Sequence, residues 1–291
     1  MNQRFRKIRL VLMLILILNF IVALAKIIYG RFTNTLSMES DGYHSFIDGV
    51  SNITGLVGIQ IASRPPDKEH PYGYRKYETL SAIIISFFLI LVGFEIINNA
   101  IGRFRADLSP DVTSISFAVM IVTMFINFLV TTYEHKQGDK LNSEILIADS
   151  MHTRSDIYLS LSVIVGLVAI KLGYPIVDPI ISLIIAVIIF RAGYTIIRKN
   201  AETLVDVAQI DDEEICNLVN SVSGIRECHK IRSRGTKDAI QIDLHIKVRP
   251  DMRIDNAHRI AHDVEKYLKK DYPDIKDVTI HIEPAERESD D

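Results

Sequence analysis

Six long apolar segments dominate the first 200 or so of the 291 residues of this chain. A helix of about 20 apolar residues is long enough to cross a bilayer. The predicted spans cover about 9–29, 35–62, 79–102, 112–134, 143–171 and 176–197. The overall hydrophobic content of 48% hides a division, because the last stretch is dense in Asp, Glu, Lys and His. We therefore predict an α-helical membrane domain of six transmembrane helices over residues 1–200, surrounded by lipid, and a second domain over residues 201–291.

The orientation follows from the basic residues of the short connections, since Lys and Arg accumulate on the cytoplasmic side. One side of the predicted bundle carries Arg4, Arg6, Lys7, Arg9, Arg64, Lys68, Arg75, Lys76, Lys136, Lys140, Arg198 and Lys199. The opposite side carries mainly Arg31, Arg103, Arg105 and Lys171. We expect a multi-pass protein of the cell inner (plasma) membrane with both termini in the cytoplasm.

The pattern D-x-x-H-x-x-x-D occurs twice, at Asp41–Asp48 in the second span and at Asp149–Asp156 in the fifth. Spacings of three and four residues place the two acids and the histidine on one stripe of a helix. An ionisable side chain in a membrane helix costs at least about 2.5 kcal/mol, so such groups normally face a bundle interior or a water-filled path. Two imidazoles and two carboxylates together would form a four-ligand site for a divalent transition metal, with Zn²⁺ expected. The alternative is a hydrogen-bonded polar seam between helices.

The first two spans contain residues that suggest how the helices meet. Small side chains that permit close helix packing follow the first stripe, at Gly49, Ser51, Gly55 and Gly58. Asn19 is predicted to hydrogen-bond between helices, and Lys26 to extend to the outer membrane interface.

The first acid of each stripe is expected to stay outside the ligand set. Spans two and five run in opposite directions, so Asp41 should lie on the outer side of the site and Asp149 on the inner side. We expect Asp149 to line the cytoplasmic access path and Asp41 the outer exit, where each raises the local cation concentration. The alternative is that Asp149 favours the positive end of its helix and that Asp41 is hydrated at the outer rim.

The connection between spans two and three has three prolines and a glycine, so it extends neither helix. Asp67 and His70 within it are candidates for a weak surface metal site. A solvated loop whose histidine binds nothing is the alternative.

Residues 206–287 predict a small cytoplasmic α/β domain of order αββαβ, with a three-stranded sheet covered on one face by two helices. The strict alternation of Ile240, Ile242, Leu244, Ile246 and Val248 is typical of a half-buried strand. Cys216 and Cys228 lack C-x-x-C spacing and are expected to be reduced thiols.

Histidines and acids recur along the predicted strands and helices of this second domain. Asp243 and His245 share one face of a predicted strand, and His281 and Glu283 share one face of another. Further histidines stand at His229, His258 and His262. This density of histidine favours metal sites, although a single surface histidine is usually just solvated.

These features together resemble the cation diffusion facilitator family of divalent metal/proton antiporters. The resemblance covers about residues 10–285 and includes the loop Arg64–Gly73 and the segment Ala148–Asp156. It implies a homodimer, with a metallochaperone-like fold in the cytoplasmic αββαβ domain. It also implies transport ligands at His44, Asp48, His152 and Asp156, and the two-His, two-Asp form resembles the zinc-preferring branch.

The resemblance implies two further metal sites. In the loop site Asp67 and His70 match the family pattern, while Tyr74 replaces a second histidine. In the cytoplasmic site His229, His258 and His281 match, while Asp243 stands in place of a histidine and Glu283 in place of an aspartate.

The expected function is export of a divalent metal, Zn²⁺ first and Fe²⁺, Mn²⁺ or Cd²⁺ as alternatives, in exchange for protons. Protons and metal compete for neutral imidazole and ionised carboxylate, and Zn²⁺ would also act as a regulatory ion in the cytoplasmic domain. We expect no enzymatic activity and no nucleic-acid partner. Two other classes of protein could also place His and Asp in a membrane. A membrane metallohydrolase would need an open coordination position and a general base. A membrane metal sensor would leave the buried stripes unexplained.

Overall fold

The computed structural model describes residues 3–32, 36–105, 114–171, 174 and 176–286. Many side chains near the ends of the helices and some within them, including those of His44 and Asp48, lie outside the description. The chain divides into two compact units, Met1–Ala201 and Glu202–Asp291. The first is helical and the second contains a small β-sheet, as predicted.

Six long helices form the first unit, and each coincides with a predicted span. They are α1 (Gln3–Phe32), α2 (Leu36–Ala62), α3 (Lys76–Arg105), α4 (Ser114–Leu141), α5 (Glu144–Lys171) and α6 (Val177–Leu204). Three stretches of the described chain are long and apolar enough to cross a membrane: Gln3–Ile28, Lys76–Gly102 and Pro179–Leu204. Helices α2 and α5 are less uniformly apolar because each carries one of the two stripes.

Helices α1, α2, α4 and α5 pack against one another, and α3 packs against α2 and α5. Their shared core contains Leu12 of α1, Ile59 of α2, Ile85 of α3 and Ile145 of α5, all essentially inaccessible to solvent. A second core joins α3 to α6 through Leu89, Val92, Ile96, Ile185, Ala186 and Ile189. Large apolar side chains on the outer faces stay exposed, as expected of helices that face lipid.

Two glycines of α2 allow neighbouring helices to approach closely, which confirms their predicted role. A β-carbon added to Gly55 would lie 2.9 Å from Cγ2 of Ile145, and one added to Gly58 would lie 2.5 Å from the β-carbon of Ser81. Gly49 has only an ordinary neighbour, Cδ1 of Leu16, at 3.7 Å. Gly55 and Gly58 therefore set how tightly α2 packs on α5 and α3.

One end of the bundle is closed by Arg4. Its guanidinium forms a bidentate ion pair with Glu78 of α3, at 2.8 and 3.1 Å. It also donates to the carbonyl oxygens of Leu141 and Asn142 between α4 and α5, at 2.8 and 2.7 Å. Ser143 donates to the same Glu78 carboxylate at 2.7 Å. Arg4, counted among the topology-setting charges in the sequence, therefore also joins α1, α3 and the α4–α5 connection.

The second unit has the predicted order αββαβ. Its elements are α7 (Asp212–Asn220), β1 (Ile225–Thr236), β2 (Ala239–Val248), α8 (Ile254–Asp271) and β3 (Ile275–Pro284). Strand β2 lies in the middle, antiparallel to β1 and parallel to β3. Alternate residues of β2 are buried beneath α7 and α8 together with Ile215, Val264 and Leu268. The opposite face of the sheet carries polar side chains.

We predict that Gly58→Ala destabilises the membrane unit by about 1–3 kcal/mol, because the new methyl group overlaps the Ser81 side chain. Gly102→Ala is the matched control, since nothing lies within 4 Å of a β-carbon at that position of α3. It should be neutral or stabilising by up to about 1 kcal/mol. Thermal unfolding in detergent compares the two variants, and equal midpoints would contradict the close approach of α2 and α3.

Candidate metal centres

The two stripes lie on α2 and α5, which pack antiparallel. Gly55 and Gly58 of α2 adjoin Ile145 of α5, whereas Ser51 and Asn52 contact Asp149. One further turn brings the α2 backbone at residue 48 to the level of residues 152–153 of α5. The geometry of the described residues is therefore consistent with the two stripes facing each other.

The structure describes half of the predicted four-ligand site. His152 is buried, with 4% of its surface exposed, and Asp156 is half-buried one turn further along α5. His44 and Asp48 are on the helical backbone of α2, but their side chains lie outside the described residues. The joint coordination of a metal by these four residues stays a prediction.

Asp149 does not line an access path in this structure, contrary to the expectation from sequence. It is fully buried. Ser51 Oγ donates to one of its carboxylate oxygens at 2.8 Å, and the amide of Asn52 donates to the other. Asn52 in turn accepts a hydrogen bond of 3.0 Å from Asn19, which confirms the predicted interhelical role of Asn19. Helical spacing alone could not show these partners, which come from other helices. The side chain of Asp41 lies outside the described residues.

Lys26 was expected to extend to the membrane interface, and that prediction is wrong. Its side chain is buried, with 7% of the residue exposed, and Nζ donates to Oγ of Ser45 at 3.0 Å. Ser45 follows His44 directly in α2. The lysine therefore turns inward because a polar partner on the neighbouring helix is available.

The loop residues Asp67 and His70 lie close together, with Nδ1 of His70 3.7 Å from Oδ1 of Asp67. The carboxylate is already engaged in folding the loop. Its Oδ1 accepts the backbone N–H groups of Glu69 and His70, and its Oδ2 accepts the hydroxyl of Tyr74 at 2.6 Å. The Tyr74 hydrogen bond, followed by that from the His70 N–H, lowers the pKa of Asp67. His70 stacks on Tyr74, with 4.1 Å between ring centroids. Metal binding here stays a prediction, and the observed contacts are those of a structural turn.

In the second unit, strand pairing brings His229, His245 and Glu283 together on the polar face of the sheet. One ligand atom from each lies within 4.8 Å of the others, the spacing needed to hold a metal ion. Nε2 of His229 is 3.1 Å from Oε2 of Glu283, and Nδ1 of His245 is 2.8 Å from Oε1. The His245 hydrogen bond is the main cause of the lowered pKa of Glu283, so this carboxylate stays charged at neutral pH.

The other predicted ligands of this domain lie outside the cluster. His281 stacks on His245 with 4.6 Å between centroids, and its Nε2 is 3.8 Å from Oε1 of Glu283, at the rim of the cluster. His258 is exposed on α8. Asp243 lies 3.7 Å from Arg232 and 3.9 Å from Arg234. A role for Asp243 and His258 as ligands stays a prediction without support from this arrangement.

A β-bulge explains why His245 joins the cluster while Asp243 faces arginines. His229 pairs with His245, but the register shifts at Lys230, which has a φ of 51°, so that Arg232 pairs with Asp243. Without the bulge, Ile231 would face Asp243 instead. The only sequence signal for His245 was its place two residues from Asp243 on the same strand face.

We expect His245→Ala to weaken Zn²⁺ binding by the C-terminal unit by about tenfold or more, because it removes an imidazole from the cluster. His262→Ala is the control, since His262 is exposed on α8, outside the cluster, with its Nδ1 3.4 Å from Oε2 of Glu265. Calorimetry on residues 206–291 at neutral pH measures both. An equal loss in the two variants would contradict the cluster as the binding site.

Comparisons with known proteins cover both units. Residues 12–205 match the cation efflux transmembrane domain, and residues 207–285 match the cation efflux protein cytoplasmic domain. An uncharacterized transporter of Methanocaldococcus jannaschii is 31% identical over 287 residues, 96% of this chain and 99% of that protein. The manganese efflux system protein MneP of Bacillus subtilis is 28% identical over 285 residues, 95% of this chain and 96% of that protein.

A solved variant of the MamM C-terminal domain aligns with 25% of this chain and 91% of its own, at 25% identity and a TM-score of 0.24. The first domain model covers the helices that carry the two stripes, and the second covers the αββαβ unit. This chain is a member of the cation diffusion facilitator, or cation efflux, family of metal transporters.

Proposed function

We propose that this protein exports Zn²⁺ from the cytoplasm across the cell inner (plasma) membrane in exchange for protons. Membership of the cation efflux family supports divalent metal export. The observation that carries the proposal is the burial of His152 and the placing of Asp156 one turn away on α5, beside the α2 helix that holds His44 and Asp48. Imidazole and carboxylate bind either a metal or protons, so the same groups couple the two fluxes.

The proposed topology has both termini and the C-terminal unit in the cytoplasm. The end of the bundle that holds Arg4 and the α4–α5 connection is then the cytoplasmic end. We further propose that the protein is a homodimer and that Zn²⁺ bound by the C-terminal unit regulates transport. The match to the cytoplasmic domain model and the His229, His245 and Glu283 cluster support this part of the proposal.

Mn²⁺ is the second candidate cargo, because MneP and MneS of Bacillus subtilis, 28% and 25% identical to this chain, are named manganese efflux system proteins. The ligand types favour Zn²⁺, since imidazole suits Zn²⁺ whereas carboxylate and water suit Mn²⁺. Transport measurements also separate export from the two other classes. A hydrolase would act on substrate without a membrane gradient, and a sensor would move no ions.

Asp156→Asn is expected to abolish metal-driven proton flux while the protein stays folded, because it removes one ligand from a set of four with no spare. Asp139→Asn makes the same chemical change at an exposed position of α4 and should keep wild-type flux. Proteoliposomes containing a pH-sensitive dye report the flux after addition of Zn²⁺. Substantial remaining flux in the Asp156 variant would refute the site.

His44→Asp should shift the preference from Zn²⁺ towards Mn²⁺, because a hard carboxylate replaces an imidazole. Competition between the two metals in the same proteoliposomes measures the change as a ratio of initial rates. His135→Asp, which puts the same substitution on α4 outside the proposed ligand set, is the control and should leave the ratio unchanged. An unaltered ratio in the His44 variant would show that this residue does not select the metal.

A further inference from the structure

Two buried acids of the membrane unit are not used by the proposed ligand set. Glu134 of α4 and Asp149 of α5 are both completely inaccessible to solvent. Charged groups at such depth are costly and usually serve an ion or proton path. The pair lies towards the end of the bundle that holds Arg4, since α4 ends at Leu141 and α5 begins at Glu144.

The two acids differ in what surrounds them. Asp149 accepts hydrogen bonds from Ser51 and Asn52, so its negative charge is stabilised from α2. Neither carboxyl oxygen of Glu134 has a hydrogen-bond donor among the residues that the structure describes. A proton on Glu134 turns its contact with Asp149 into a hydrogen bond. That proton satisfies the buried oxygen and removes the repulsion between two carboxylates.

No positive charge replaces this proton among the described residues. Asp149 is the charged group that acts on Glu134. The sequences of the helices packed against the pair offer few others. No ionisable side chain lies between Arg9 and Lys26 of α1, or between Asp48 and Arg64 at the end of α2.

Other titratable groups lie on the helices packed around the pair, among them His135 and His152, and Arg191 and Lys199 of α6, which line the cavity beside His135. His152 lies one turn beyond Asp149 on α5, towards the proposed metal site. His135 follows Glu134, with its Nδ1 3.0 Å from Oγ of Ser150 and its Nε2 3.8 Å from Asp139.

Water can reach the level of the pair from one side. A cavity of about 380 Å³ lies between α4, α5 and α6, lined among others by His135, Glu144 and Lys199. His135 and Ser150, the chain neighbours of Glu134 and Asp149, are hydrogen-bonded at the edge of this cavity. The cavity therefore lies at the level of the pair, on the side of His135.

We infer that Glu134 and Asp149 form a second proton-binding site, separate from the four proposed metal ligands, and that it carries a proton in each exchange cycle. The inference rests on the proposed metal/proton exchange. Asp149 is three residues, about 4.5 Å along the helix, from His152. A divalent ion held at that level repels the proton through a medium of low dielectric constant. Metal arriving from the cytoplasm expels the proton from Glu134, and metal release towards the outside permits its return.

The first test reads protonation directly in the full-length protein in lipid. Infrared spectra in deuterated buffer at neutral pH should contain the carbonyl band of a protonated carboxylic acid. The band should be absent from Glu134→Gln and present in Asp139→Asn, an exposed acid on the same helix. Addition of Zn²⁺ to the wild type should remove it. A wild-type spectrum without the band, or a band indifferent to Glu134→Gln, would overturn the inference, and the wild-type measurement does not depend on the folding of any variant.

The second test separates this inference from the proposed function. Glu134→Gln should still move Zn²⁺ down its own gradient in proteoliposomes, but an imposed pH gradient should accelerate that movement less than in the wild type, because only the protons of the metal ligands remain to be exchanged. Asp139→Asn should respond to the pH gradient as the wild type does. A wild type without a pH response would refute the proposed exchange itself. A responsive wild type with an equally responsive Glu134→Gln would refute only the second proton site.

The number of Zn²⁺ ions bound distinguishes a proton site from a metal site. Glu134→Gln should bind as many ions per chain as the wild type, because the amide replaces a carboxyl group that binds only a proton. A loss of one bound ion would show that the pair holds metal instead. Thermal unfolding of both variants verifies that the comparison is made between folded proteins.

Discussion

A carboxylate buried at membrane depth must find hydrogen-bond donors within the protein, because lipid supplies none. Asp149 meets this requirement by accepting hydrogen bonds from Ser51 and Asn52 of α2. Asn52 in turn accepts a hydrogen bond from Asn19 of α1. One acid of α5 thereby fixes the position of two other helices. The close approach of α2 to α5 at Gly55 brings these short polar side chains within reach. The polar contacts at the centre of the bundle thus depend on the close packing of α2 against α5.

This arrangement bears on how metal and protons exchange. The proposed ligands begin one turn beyond the Asp149 network, while Arg4 closes the other end through Glu78 and the α4–α5 connection. Charges placed between these two layers act on one another through a medium of low dielectric constant. In the proposed exchange, binding of a divalent ion at one level changes the protonation of acids a turn away. In this view the coupling of the two fluxes needs no contact between the metal and the second acid pair.

The C-terminal unit meets a different constraint, since the residues of its proposed metal site come from three strands. A three-stranded sheet with alternate residues buried beneath two helices leaves one polar face. Which side chains meet on that face depends on strand register, and a single bulge at Lys230 decides it. His229 pairs with His245 on one side of the bulge, and on the other side Arg232 pairs with Asp243, which has two arginine neighbours. The proposed metal site therefore depends on backbone geometry as well as on ligand type.

The sequence by itself determined the elements of this protein. Apolar run length set the six helices, alternation set β2, and the repeated D-x-x-H-x-x-x-D pattern picked out α2 and α5, because these signals are local along the chain. Tertiary structure decided which groups meet. It turned Lys26 inward to Ser45, buried Asp149 among donors, used Asp67 to hold a turn, and brought His245 to Glu283. Each of these outcomes, apart from the local Asp67 turn, depends on a partner at least 19 residues away in sequence, on another helix or strand. Periodicity reports which face a residue occupies, and only packing and register supply the atom that it contacts.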